Sequence, residues 1–299
     1  MTSVFHSGEI AIQKQAGTYS GAGRIGSGIR AVIPRAFGEF MQEQVVAVVA
    51  SVDGAGRVWA SALMGEPGFI EALDNRTVQI AAQPVGGDPL ADNVKATGQL
   101  GVLVIDFESR GRIRLNGKAD LYPSGIRIHT EEVFGNCQKY IQARGPRREQ
   151  RESPQPPTVR LGETLTVTQR QWIESADTFF IASVNPAGGA DASHRGGQPG
   201  FVRVSENLIT WPDYAGNGMF QTLGNLTLSP QAGLLFIDFE RGSVLQLTGR
   251  ANIIWAAARV ADVAGAERLV EFQIEQVIEI AEALSVTFKF KSYSAHNPR

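Results

Sequence analysis

The sequence predicts a mainly β fold made twice over, a small barrel or sandwich in each half of the chain with a few peripheral helices. Three observations carry this expectation. Ala50-Ser51-Val52, Ala60-Ser61 and Pro67-Gly68-Phe69 recur 132 positions later as Ala182-Ser183-Val184, Ala192-Ser193 and Pro199-Gly200-Phe201. Ile105-Asp106-Phe107-Glu108, Leu115, Gly117 and Ala119 recur at the same offset, without a gap, as Ile237-Asp238-Phe239-Glu240, Leu247, Gly249 and Ala251. Most ordered-looking segments are short apolar runs ended by glycine-rich turns, and few have helical periodicity, which together describe small β units.

In chain order, Val45 to Val52 is a continuous apolar run closed by Asp53-Gly54, and Phe179 to Val184 closed by Asn185-Pro186 is its repeat. Each reads as a buried strand followed by a hairpin turn. Gly101 to Phe107 and Gly233 to Phe239 form a second pair of buried strands. Arg112 to Gly117 and Val244 to Gly249 alternate with period two, as a strand with one wet face should. Asp106 and Asp238 occupy matching strand ends, so a repeated structural role at a turn is expected of them. Glu131 to Arg144 predicts a helix, with Val133, Phe134, Cys137 and Tyr140 at helical spacing and Gly145 at its end. Arg144 to Pro157 is rich in proline and arginine and has no apolar periodicity. The interspersed Glu149 and Glu152 and the prolines favour a solvated connector over an RNA or membrane contact. Thr168 to Ala176 predicts a short helix capped by Thr168, and between Arg268 and Ile280 the alternation of Val270, Phe272 and Ile274 predicts a strand. The expected division is a first unit with an N-terminal extension over residues 1–143, a linker over 144–166 and a second unit over 167–299.

A chain of 299 residues suits two domains of about 150 residues. A hydrophobic fraction of 43%, a charged fraction of 19% and a net charge of −2 fit a globular protein and offer no electrostatic reason to bind nucleic acid. No stretch reads as a secretory signal or a spanning helix, so no membrane association is expected. The one cysteine, Cys137, cannot form an intramolecular disulfide, and a cytoplasmic location is the default.

The copies differ most usefully where Ser61-Ala62-Leu63-Met64-Gly65 is replaced by Ser193-His194-Arg195-Gly196-Gly197. Arg195 and the glycines after it can bring a cation and backbone N–H groups to a phosphate, whereas Leu63 and Met64 cannot. The bland alternative makes Arg195 a rim residue and the glycines the site of a bulge. On a strand, Ser193 and Arg195 share a face while His194 points away. Adjacent strand residues face opposite ways, so Asp191, Ser193 and His194 do not form a hydrolase triad. His6, His129 and His296 lack metal-ligand spacing with one another or with Cys137, and no metal site is expected.

Asp191-Ala-Ser-His-Arg-Gly-Gly-Gln-Pro-Gly-Phe-Val202, Trp211-Pro-Asp-Tyr-Ala-Gly-Asn-Gly218 and Leu223-Gly-Asn-Leu226, followed by Gly233-Leu-Leu-Phe-Ile-Asp238, resemble the pyridoxamine 5′-phosphate oxidase-like family. Phe134-Gly-Asn-Cys-Gln-Lys-Tyr-Ile141 resembles a signature of its tandem-barrel members. The resemblance covers nearly all of the second half and, through the repeat, the core of the first. It implies a tandem duplicated split β-barrel of Greek-key type forming an intrachain pseudo-dimer, with FMN between the barrels. Deazaflavin and haem are alternative ligands of such barrels.

The resemblance further implies that Ser193, His194, Arg195 and Gly196 hold the phosphate side. Trp211, Pro212, Asp213, Asn217 and Thr222 would lie along the ring or ribityl chain. Trp211 could equally be core. Better-known members carry adjacent basic residues just after the position of Asn217, where this chain has Gly218 and Met219; Asn217, Gln221, Thr222 and the amides opening the next helix are available to compensate in part. Arg112 stands where the second copy has Val244, so it is either a cation donated across the pseudo-dimer or an exposed strand residue beside Arg114. Asn136, Cys137, Lys139 and Tyr140 could close the cavity.

The implied activity is that of an oxidoreductase acting on a small molecule with an electron donor, with no side chain assigned as catalytic acid or base. No second cation cluster suits a phosphorylated substrate, so pyridoxamine phosphate oxidation itself is not expected. A non-catalytic flavin carrier or sensor and a cofactor-free interaction protein are the competing readings. A homodimer of the tandem chain is compatible with the sequence.

Overall fold

The computed structural model describes residues 4–147 and 156–298. Three helices, α1 (Ser7–Gln15), α2 (Tyr19–Gly26) and α3 (Arg35–Gln42), come first. The first barrel contains β1 (Val46–Val52), β2 (Val58–Met64), β3 (Ile70–Ala72), β4 (Thr77–Ile80), α4 (Leu90–Thr97), β5 (Gln99–Asp106), β6 (Gly111–Tyr122) and β7 (Gly125–Gly135). Next come β8 (Ala143–Arg147), β9 (Thr158–Gly162) and α5 (Val167–Ser175). The second barrel contains β10 (Thr178–Val184), β11 (Ala190–Gly196), β12 (Arg203–Ser205), β13 (Leu208–Tyr214), α6 (Gln221–Leu228), β14 (Gln231–Ile237), β15 (Val244–Ile254), α7 (Ala257–Val260) and β16 (Ala266–Ala281). Last, β17 (Thr287–Ser292) pairs with β8. The sheet orders, β2-β1-β5-β6-β7-β4-β3 and β11-β10-β14-β15-β16-β13-β12, are the same topology twice, so the duplication seen in the sequence is a duplication of the fold.

The apolar runs are continuous because both of their faces are buried. In β1, Ala47 and Val49 point into the first barrel with Leu63 and Val102. Val46, Val48 and Ala50 point the other way and meet Phe180 and Ala182 of β10 in a core shared by the barrels. In β10, Phe179 and Ile181 fill the second barrel with Trp211 and Phe236. At the junction a Cβ on Gly101 would lie 2.3 Å from the Ala190 carbonyl oxygen, and one on Gly233 would lie 2.6 Å from that of Val58. These are equivalent positions of the two copies, and each barrel's backbone leaves no room there for a side chain. Gly101→Ala is therefore expected to destabilise the chain by about 1–3 kcal/mol, read by chemical denaturation.

Several expectations are corrected. Residues 131–144 are not a helix: β7 continues to Gly135, paired with β6, because Val133 enters the first core while Phe134 packs beneath the N-terminal helices. The segment after it is irregular, with Tyr140 at φ 65°. The helix over 168–176 forms as α5, but its cap is Thr166, whose hydroxyl and Gln169 make a reciprocal capping box. Within the expected linker, Ala143–Arg147 and Thr158–Gly162 are strands bound to β17 and β16; residues 148–155, including Glu149 and Glu152, lie outside the described residues. The strand over 268–280 is β16. The aspartates act at turns, Asp106 Oδ1 accepting from the Glu108 amide at 2.8 Å and Asp238 Oδ1 from that of Glu240 at 3.0 Å. Among the described residues no helix is long and apolar enough to cross a membrane.

Candidate functional site

β6 extends Arg112 and Arg114 from the first barrel towards β11 of the second, where Asp191, Ser193 and Arg195 share one strand face. Arg114 Nη1 donates to both Asp191 carboxylate oxygens, at 3.0 and 2.9 Å, and to Gln221 Oε1 at 3.0 Å. Both members of the pair are buried, so each depends on the other to offset the cost of leaving water. Ser193 Oγ sits 3.4 Å from Asp191 Oδ2 and 2.8 Å from Thr222 Oγ1, which places it behind the cavity wall. His194 lies on the opposite face, so no Asp-Ser-His triad exists.

Among the described residues Arg112 and Arg195 lack such a partner. Arg112 Nε donates to the Cys137 carbonyl at 2.9 Å, and its Nη2 lies 3.7 Å from Cys137 Sγ. Arg195 Nη1 donates to the His194 carbonyl at 3.0 Å, while its Nε has no partner. Among the described residues neither guanidinium has a carboxylate within ion-pair distance. Burial pulls the Arg112 pKa down to about 10, with repulsion from Arg114 and Arg195 acting the same way. Burial also lowers that of Arg195, opposed by the more distant Asp213. One guanidinium from each barrel thus faces a cavity of about 110 Å³. This is ample for a phosphoryl group, and the open rim leaves room for the rest of a larger ligand.

The walls follow from the neighbouring elements. Pro212 and Asp213 come from β13, and Asp213 also lies 3.4 Å from Arg268. Gln221 and Thr222 open α6 after Phe220, which holds a left-handed φ of 61°. Asn217 Oδ1 accepts from the Met219 amide at 3.1 Å and is spent on this turn. Gly196 is a glycine because a Cβ there would sit 2.1 Å from the Tyr140 carbonyl oxygen. Tyr140 Oη and Lys139 Nζ both donate to the Ala215 carbonyl, at 3.0 and 3.5 Å, and fasten that segment across the rim. His194 packs edge-on against Phe180 at 5.7 Å and reaches the wall with both ring nitrogens unpartnered. Burial, reinforced by the surrounding arginines, holds its pKa well below the usual histidine value, so the ring is neutral.

The cavity therefore gathers Arg112, His194, Arg195, Gly196, Pro212, Asp213, Asn217 and Thr222. Trp211 is not among them: it is 1% exposed and packs edge-on against Phe179 in the second barrel's core. Arg114 was not among the residues expected to bind ligand, whereas its acceptor Gln221, expected to help compensate for the missing phosphate-binding charges, lines the cavity. The signal for Arg114 was present in the repeat, since the second copy has Gln246 at its position.

At the equivalent place in the first barrel, Leu63 and Val244 replace Arg195 and Arg112. Gln246 Nε2 donates to the Ala60 carbonyl at 2.9 Å, Ser61 Oγ at 3.0 Å and Asp88 Oδ2 at 3.0 Å. Burial pushes the Asp88 pKa up to about 6. Ala62, Met64 and Val244 complete the shared apolar core, leaving that position filled and without a cation.

A family model described as pyridoxamine 5′-phosphate oxidase matches residues 165–289. Among solved structures, HupZ of Group A Streptococcus is 11% identical, with 44% of this chain and 99% of that chain covered at a TM-score of 0.30. A protein of the pyridoxinephosphate oxidase family from Clostridium acetobutylicum, related to general stress protein 26, is 12% identical, covering 42% and 92% at a TM-score of 0.31. A FAD-binding protein from Mesorhizobium loti is 12% identical, covering 41% and 98% at a TM-score of 0.28. No curated protein matches the chain. The second barrel, over residues 165–289, is thus similar to the pyridoxamine 5′-phosphate oxidase family, and the first half of the chain repeats that barrel's topology.

Proposed function

We propose that the chain binds one FMN between its barrels, with the phosphate held by Arg112 and Arg195, and acts as an oxidoreductase on a small molecule. The supporting observation is the pair of guanidinium groups, one from each barrel, that share a cavity able to admit a phosphoryl group and have no carboxylate partner among the described residues. An anion with several acceptor oxygens satisfies both forks at once. The residues present fit the phosphate end of a flavin nucleotide. The charge missing at Gly218 and Met219 is supplied from the opposite barrel by Arg112, with Arg114 behind it holding Asp191. A bound flavin would supply hydride or electron transfer.

The chain's own groups bind, orient and shield. Arg112 and Arg195 grip the phosphate, and the first amides of α6 add donors at a helix N-terminus. Neutral His194 offers a hydrogen bond without adding charge, while Lys139 and Tyr140 limit water entry at the rim. The filled position in the first barrel supports one ligand per chain.

The experiment is a visible spectrum of freshly purified protein followed by fluorescence titration with FMN. Flavin absorption or quenching that saturates at about one FMN per chain is the expected result. Colourless protein that neither quenches FMN nor gains thermal stability from it overturns the proposal. Flavin that NADH and NADPH fail to reduce, and whose reduced form passes electrons to no acceptor tried, replaces the oxidoreductase with a carrier.

A further inference from the structure

We propose that the N-terminal helices complete the anion site and that Gln13 is a positioning residue for it, holding the turn from which α6 starts. This inference rests on the cavity being an anion site. That turn is part of the cavity: Asn217, Gly218 and Phe220 line it, and the left-handed Phe220 sets where the amides of Gln221 and Thr222 point. Bulky side chains avoid a positive φ, so the conformation needs an external hold. The corresponding helix of the first barrel, α4, starts from Pro89 at φ −71°, in the ordinary right-handed region.

The hold comes from outside the family-matched segment. Gln13 is fully buried, and its Nε2 donates to the Met219 carbonyl at 3.1 Å. The Met219 side chain turns inward and packs with Phe5 and Ala22 of the N-terminal segment and with Phe134 of β7. One small core therefore ties the turn to the N-terminal helices and to the first barrel. Helix α1 can approach because glycines meet at its crossing with α6: a Cβ on Gly8 would lie 2.2 Å from the Gly224 carbonyl oxygen, and one on Gly224 would lie 2.6 Å from the Glu9 amide nitrogen. Where family members carry basic residues that touch phosphate directly, this chain has a glycine and an apolar anchor. The resulting cradle is held from behind by α1.

Gln13 does not line the cavity, so its effect is indirect and needs two readouts in the full-length protein. The first is FMN affinity by fluorescence quenching; the second is amide hydrogen exchange of residues 219–223 without ligand. Gln13→Met keeps the buried volume and removes the donor. It is expected to weaken FMN binding about tenfold and speed exchange in that segment more than in the barrel strands. Gln13→Glu is the companion variant, because a protonated carboxyl can still donate to the Met219 carbonyl and an ionised one cannot. Its affinity relative to wild type should recover at pH 5 and be lost at pH 8.

Unchanged affinity and unchanged local exchange in both variants overturn the positioning role, even if melting temperature falls. If wild type itself binds no FMN, the cofactor reading fails. Exchange in the ligand-free protein still decides whether Gln13 holds the turn.

Discussion

Arg195→Ala is expected to lower affinity for FMN about 10- to 100-fold, and Arg112→Ala to do the same from the other barrel. The magnitude follows from losing charge-assisted hydrogen bonds to a phosphate, roughly 1.5–3 kcal/mol. The stability of the ligand-free protein should move the other way or stay level. Among the described residues neither guanidinium has a carboxylate partner, so truncation removes a poorly solvated charge rather than breaking an ion pair. Arg114→Ala gives the contrasting pattern: it leaves Asp191 buried and unpaired, so stability falls together with affinity. Titration with FMN and denaturation of each variant without ligand separate these cases. Wild-type affinity in Arg195→Ala would remove the phosphate assignment.

Stability is expected to decline between about pH 7 and pH 9, with Glu9 as a source, whereas below about pH 6.5 the lowered pKa values of buried His6 and His194 act in the opposite direction. Glu9 is buried where α1 meets the second barrel; its Oε2 accepts from the His6 amide at 2.8 Å and lies 3.5 Å from the His6 ring. Burial, opposed by the hydrogen bond and increased by Glu132 and Asp191, raises its pKa from 4.5 to about 8, with Arg114 pulling weakly downward. The folded chain therefore keeps a proton that the unfolded chain releases. This contribution is fully present below about pH 4.5 and is lost as pH rises towards and through about 8. Glu132 acts in the same direction.

Glu9→Gln should flatten the profile and gain on the order of 3 kcal/mol over wild type at pH 9. Urea unfolding at pH 6 and pH 9 checks it. Equal pH slopes in the two proteins would mean that the carboxyl is solvated. Because α1 carries both Glu9 and Gln13, FMN affinity should weaken over the same pH range in wild type and less so in Glu9→Gln.

The places that sequence reasoning left open or misassigned share one cause. Trp211 sits among motifs that resemble a flavin-lining segment, yet whether an aromatic on a strand faces ligand or core depends on which sheet face closes, and here that face meets Phe179. Residues 131–144 have helical spacing, but pairing with β6 holds the first part extended and the Tyr140 segment must pass over Gly196. Arg112 was legible because its counterpart is Val244. Arg114 against Gln246 was equally visible, but a second arginine on the same strand also fits an exposed face, and only the position of Asp191 across the barrel junction decides between them.

The sequence by itself determined the duplication, the strand-rich halves and the asymmetry of charge between them, because these are properties of pattern and of residue differences at a constant offset. Only the tertiary structure decided that Arg112 and Arg195 meet, that Arg114 is committed to Asp191, and that α1 braces the turn before α6. Those contacts join residues from different barrels and from the N-terminal helices. They depend on how one apolar face packs against another, and local periodicity carries no record of which surfaces will meet.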